Sequence, residues 1–196
     1  MHRISSAIQG RAYSFGEESV ELDPNNPLAQ LSVSAACRIN GQQHEMITAA
    51  RRALELNPSY SRAYAELAFA LAIAGESQQA LECTERGMRL SPRDPMIWWF
   101  YQSASAAYFG LKRYQEAVDW GRRLVQAYPG LGENWRIFGT ACAHLGRLDD
   151  ARSAAAEVLR LQPGYSLAVT RAALGGADPD FLERYLDGLR KAGLPE

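Results

Sequence analysis

Apolar positions recur along this chain at intervals of three and four residues, the spacing that gathers side chains on one face of a helix. Tyr64, Leu67, Ala68 and Leu71 share such a face, and Ala80 and Gly87 answer it on the next stretch. Tyr101, Ala104, Ser105 and Tyr108 repeat the arrangement with Ala117, and Trp135, Phe138, Gly139 and Cys142 repeat it with Ala151. A small residue inside each face lets two helix axes approach while its large neighbours fill the flanking grooves. The pattern predicts helices at 27–40, 43–56, 61–74, 77–90, 95–110, 114–127, 132–145 and 148–161. Turns this short make each consecutive pair an antiparallel hairpin.

The punctuation is periodic. Pro24, Pro58 and Pro92 are spaced by 34 residues, as are Pro95, Pro129 and Pro163. Each closes an amphipathic stretch, where a missing N–H and a fixed φ end one helix and help start the next. Gly41, Gly75 and Gly146 mark the other break, where a left-handed C-terminal cap favours glycine; in the third unit Lys112 takes that place. Asn26-Pro27, Asp94-Pro95 and Asp178-Pro179 read as N-cap plus first-turn pairs. A fixed period of this length marks a stack of repeats.

The residues from Trp135 to Pro163 resemble the tetratricopeptide repeat, whose pattern is W-x2-L-G-x2-Y, then A-x3-F, then P. The unit at 59–92 is similar; that at 25–58 departs, with Gln30 for the first aromatic and Met46 for the usual small residue. The resemblance implies an all-α, right-handed superhelix with units at about 25–58, 59–92, 93–129 and 130–163. An N-terminal half-repeat is expected within 1–24, from AYSFGEESVELDP. Residues 164–196 should supply a shortened helix at Ser166–Leu174 and a capping helix that packs Phe181, Leu182, Tyr185, Leu186 and Leu189 on the stack. The last fifty residues also resemble the C-terminal repeat regions of bacterial class III adenylate or guanylate cyclases and of winged-helix regulators. That second likeness carries over no catalytic residue.

Composition narrows the function. The 196 residues are 47% apolar and carry a formal net charge of -1, which offers no electrostatic case for nucleic acid or an anionic membrane. Arg51-Arg52, Arg122-Arg123 and Arg160 lie on second helices, interleaved with acids rather than gathered into a stripe. The longest apolar runs fall far short of the ~20 residues of a spanning helix. Three widely spaced cysteines make no disulfide framework, so a reducing, cytoplasmic setting is expected. Cys142 and His144 are two apart on a helix and point to different sides, which argues against a shared metal. No phosphate loop, nucleophile elbow or zinc motif occurs, and neither an enzyme nor a cofactor is expected.

What remains is a surface. In the family that the repeats resemble, first helices line a concave groove. That mapping gives Leu28, Leu31, Ala35, Arg38 and Ile39, then Arg62, Ala65, Phe69, Ala72 and Ile73. It continues with Trp99, Gln102, Ala106 and Phe109, then Glu133, Arg136, Thr140 and His144. Such a groove implies a protein or peptide partner with an apolar or helical segment. Leu31, Ala35, Glu66, Trp99 and Ser103 stand where a clamp for acidic tails needs Lys, Arg and Asn, so an EEVD-type tail is rejected. Ile97–Tyr101 is apolar in every helical direction, which predicts either a buried helix or an exposed Trp patch that binds a partner. A regulatory appendage and a self-associating homodimer are the alternatives.

Overall fold

The computed structural model describes residues 23–196, so the half-repeat expected over 1–24 lies outside the described residues except for its last two. Four hairpins follow: α1 (Pro27–Asn40) with α2 (Gln43–Leu56), α3 (Ser61–Ile73) with α4 (Ser77–Leu90), α5 (Trp98–Gly110) with α6 (Tyr114–Ala127), and α7 (Gly132–His144) with α8 (Leu148–Leu161). Short α9 (Leu167–Ala173) and α10 (Pro179–Lys191) complete the chain. No strand occurs among the described residues.

Local chemistry sets these limits. Asn26 accepts a hydrogen bond from Leu28 N–H at 2.9 Å, and Asp178 accepts from Phe181 N–H at 2.9 Å, each just before a first-turn proline. The first helix of every unit ends in one motif. Gln42, Glu76, Arg113 and Arg147 each donate 2.9 Å back to the carbonyl five residues earlier. The residue before each donor is left-handed: Gly41, Gly75 and Gly146, and Lys112 at φ 61°. The expected start at Pro95 is displaced. Asp94 holds Met96 N–H at 2.9 Å and its carbonyl holds Ile97 N–H at 3.0 Å, so residues 95–97 form a turn and α5 begins at Trp98.

The first helices α1, α3, α5 and α7 pack side by side as the inner layer; the second helices α2, α4, α6 and α8 form the outer one. Every residue from Ala63 to Ile73 is buried, because α3 is covered by α1, α2, α4 and α5. The aromatic run of α5 is buried for the same reason. Trp98 stacks on Trp99 at 4.5 Å and on Tyr128 at 4.8 Å, and Phe100 is sealed in the core. The run is therefore a packed helix rather than an exposed Trp patch, since α5 meets α3, α4, α6 and α7. Ala80, Ala117 and Ala151 lie fully buried where helices approach.

Candidate functional site: a groove closed by the C-terminal segment

The C-terminal thirty residues do more than cap the last unit. From the end of α8 the chain crosses the concave face. Ala172 and Ala173 bring their carbonyls against Gly41 at the first turn, and Gly176 packs on the Gly41 carbonyl and Gln43. Asp178 N–H then bonds the Ile73 carbonyl at 2.8 Å. From there α10 runs back along the ends of the first helices. Arg184 donates to the carbonyls of Phe109 and Gly110 at 3.0 and 3.2 Å, at the C-terminal end of α5 where carbonyls lack α-helical partners. Thr140 donates 3.3 Å to the Tyr185 carbonyl, and His144 Nε2 lies 2.7 Å from that of Arg184. A Cβ at Gly188 would stand 2.9 Å from Thr140 Cγ2 and 3.1 Å from the Thr140 Cα, so glycine alone permits this approach. Leu167 N–H closes on the Pro195 carbonyl at 2.8 Å.

This segment decides the fate of the groove residues. Phe109 is fully buried, edge-on to Phe181 at 5.4 Å and to Tyr185 at 5.9 Å. Thr140 is buried beneath α10, and Arg38, Phe69, Ile73, Gln102 and Arg136 share one chamber with Phe181 and Tyr185. Trp99 is 9% exposed, with the Arg38 guanidinium 4.4 Å and the Arg62 guanidinium 5.4 Å from its ring centre. Two residues are not brought into this group. Leu31 packs in a small separate cluster with Ala53 and Ala63, and Leu28 is 59% exposed at the start of α1. The chain pattern shows α10 as an amphipathic helix able to pack on the stack, but not that it lies in the groove. Gly188, a helix-weakening residue on the packing side of α10, is the available signal.

The chamber measures about 170 Å³. At one end lie Arg38, Gln102, Glu133 and Arg136. Arg38 reaches Gln102 Oε1 at 3.4 Å and Glu133 at 3.7 Å, both long, and Arg136 donates to Gln162 at 2.9 Å. Ile39, Ile73, Leu174 and Phe181 are the large apolar members of the rest of the wall, which also includes Gln43, Thr170 and Tyr185. Glu66 lies beside this cluster, wholly buried, and neither of its oxygens meets a donor among the described residues. Burial pushes its carboxyl above the usual range; Arg38 and Arg62 oppose that shift and Glu133 adds to it. The Tyr185 phenol is likewise pushed up, chiefly by burial.

The Cys142 thiol is pushed up to about 12, mainly by burial, which disfavours the reactive thiolate. His144 stacks on Tyr114 at 4.9 Å and stands under α10 rather than open to a ligand. Among the described residues no three His, Cys, Asp or Glu side chains could hold a metal together, and no helix is long and apolar enough to cross a membrane.

Comparison with known proteins agrees with this architecture. Residues 49–82 match the tetratricopeptide repeat. No curated protein matches the chain. Among solved structures, PilW, a widely conserved type IV pilus biogenesis factor, superposes with a TM-score of 0.67 at 14% identity, over 94% of this chain and 86% of its own. A thermophilic tetratricopeptide-repeat protein of Thermus thermophilus gives 0.66 at 19% identity, over 96% of both chains. YrrB, a tetratricopeptide-repeat protein with an unusual peptide-binding site, gives 0.50 at 20% identity over 90% of both. The fold is thus that of a tetratricopeptide-type superhelix.

Proposed function

We propose that this tetratricopeptide-type superhelix is a protein-interaction scaffold, with residues 25–163 as its four repeats and its concave face as the surface that takes a partner's apolar or helical segment. One observation supports this above the rest: the face already holds a helix of this chain, through Phe181, Tyr185 and backbone contacts from Arg184 and Thr140. A floor that accepts α10 is shaped to accept a helix of like chemistry. The partner-binding residues are then Arg38, Phe69, Ile73, Gln102, Phe109, Arg136 and Thr140 beneath α10, with Trp99 beside them. Leu28 and Arg62 belong to the end of the face nearest the start of the repeats. The peptide-binding site of YrrB is in keeping with this use of the fold.

A synthetic peptide of residues 177–193 tests the proposal. Added to the full chain carrying Phe181→Glu, which weakens the resident helix, it should bind with a Kd on the order of micromolar. The unaltered chain should bind it more weakly, because its own α10 competes. Absence of binding to the variant, with far-UV helicity retained, would remove the proposal. A cytoplasmic setting goes with it. The regulatory-appendage alternative draws on residues that here close the groove, and none of the three structures named above is a cyclase or a winged-helix regulator. Self-association would exchange α10 between copies, and light scattering distinguishes it: a single copy keeps a mass of 21.7 kDa at every concentration.

A further inference from the structure

Closure by α9 and α10 turns an open cleft into a chamber, and the chamber has a composition of its own. Two guanidinium groups from opposite sides of the groove, Arg38 on α1 and Arg136 on α7, border it with one surface-reaching carboxylate, Glu133. Glu133 and Arg136 are three apart on α7 and so share a face, and Arg38 extends to that same end. Glu133 is the one carboxylate among the lining side chains, so the wall itself holds two cations to one anion, with the buried Glu66 carboxyl standing behind Arg38. Neither guanidinium uses its five donors fully: the contacts from Arg38 are at or beyond the usual hydrogen-bond limit, and Arg136 makes one short bond to Gln162 while also meeting the Tyr185 hydroxyl and lying 5.0 Å from the Tyr165 ring centre. The remainder of the wall is mostly apolar, through Ile39, Ile73, Leu174 and Phe181, with Gln43, Thr170 and Tyr185 among its polar members.

A second observation concerns what the fold leaves unpaired beside this end. Glu66 and the Trp99 indole N–H are buried, and neither finds a hydrogen-bond partner among the described residues. Polar groups are rarely sealed into a repeat core without partners, and they accumulate where a site is built. The volume sets the size of an occupant. An apolar cavity of about 150 Å³ takes a benzene-sized body, whereas drug-sized ligands need about 300 Å³ or more. Arg38 and Glu133 keep 20% and 33% of their side chains exposed, so the polar end is also the end that solvent reaches.

We propose that this chamber binds a small monocarboxylate with a branched or aromatic apolar body. Its carboxylate lies between Arg38 and Arg136, and its body points toward Ile73, Leu174 and Phe181. The site shares Arg38, Ile73 and Arg136 with the face proposed for peptide capture, but it exists only while Phe181 and Tyr185 of α10 close the groove, so ligand and partner segment would exclude one another. Occupancy adds contacts between α1, α7 and α10 together, so the ligand fastens the C-terminal segment over the groove.

Calorimetric titration of the full chain with 4-methylpentanoate and phenylacetate tests this, with 4-methylpentan-1-ol as the probe of the same body without the charge. The acids are expected to bind and raise the melting temperature, with the alcohol about tenfold weaker or worse. Arg38→Gln and Arg136→Gln should each weaken the acids by about tenfold while far-UV helicity is retained. Leu174→Phe, which fills the body end and spares both arginines, should also abolish binding. The proposal is overturned by equal binding of acid and alcohol, by unchanged binding in both arginine variants, or by no binding of either acid at concentrations on the order of 10 mM. Capture of an acetylated tripeptide acid, when neither free acid binds, would overturn it in favour of a chain terminus.

Discussion

Glu66 carries an unusual burden for a single side chain. Its carboxylate is desolvated without a hydrogen bond, and Arg38 and Arg62 offset that cost only by charge at a distance. Because folding raises its pKa, the folded chain keeps a proton that the unfolded chain releases just above pH 4.5, and stability falls as pH rises through that window. Glu66→Gln should therefore stabilise the protein by about 1–2 kcal/mol at pH 7, with the gain vanishing below pH 4. Urea midpoints at the two pH values check this. Lys112 is the second exception: it holds the left-handed position that glycine occupies at the three equivalent turns. Lys112→Gly should add about 0.5–1 kcal/mol by relieving that backbone strain, at the loss of an exposed pair with Asp180 worth little. A lower urea midpoint in that variant would contradict the account.

Helix packing makes the next set of expectations. Ala80 and Ala151 are fully buried where α4 and α8 meet their partners, so Ala80→Leu or Ala151→Leu should cost about 1–3 kcal/mol by overpacking. Gly188 has a different signature, because its clash falls between α10 and α7 rather than within a hairpin. Gly188→Leu should release the C-terminal segment while leaving the repeats intact. Hydrogen exchange would then quicken over residues 165–196 and at Phe109 to Gly110, but not across α3 and α4. Uniform loss of protection would mean that the segment and the repeats unfold as one unit. These helices were legible from spacing, prolines and glycines because their determinants are local, within one turn or one hairpin. The shift of α5 from Pro95 to Trp98 was not, since it depends on how Asp94 divides its acceptors between Met96 and Ile97.

Across the whole molecule, the stack of repeats was legible and its closure was not. A 34-residue period specifies how each unit meets the next, and Phe69, Ile73, Gln102 and Phe109, mapped inward by the family resemblance, lie on the first helices α3 and α5. Nothing periodic links Gly41 to Ala172 or Ile73 to Asp178, contacts that join residues more than a hundred positions apart. Long-range contacts of this kind come from three-dimensional curvature, which a linear pattern of apolar positions does not encode. Leu31 lies in the small cluster with Ala53 and Ala63 rather than on the groove floor that the family resemblance implies, because α1 turns that side toward α2 and α3.

The bridge from the first turn to α9 also limits how the architecture can change. An ordinary solenoid behaves as a spring: it flexes along its axis, folds from any point, and grows by whole units because each meets only its neighbours. Here the coil is latched end to end. One extra repeat between α4 and α5 would carry Gly41 away from Ala172 and open the latch, although every hairpin stayed sound. Folding should acquire a late, slower step, since the loop from residue 41 to residue 172 closes only after the curve that brings its ends together exists. In refolding, recovery of helicity should therefore precede the closing of residues 165–196 over Phe109.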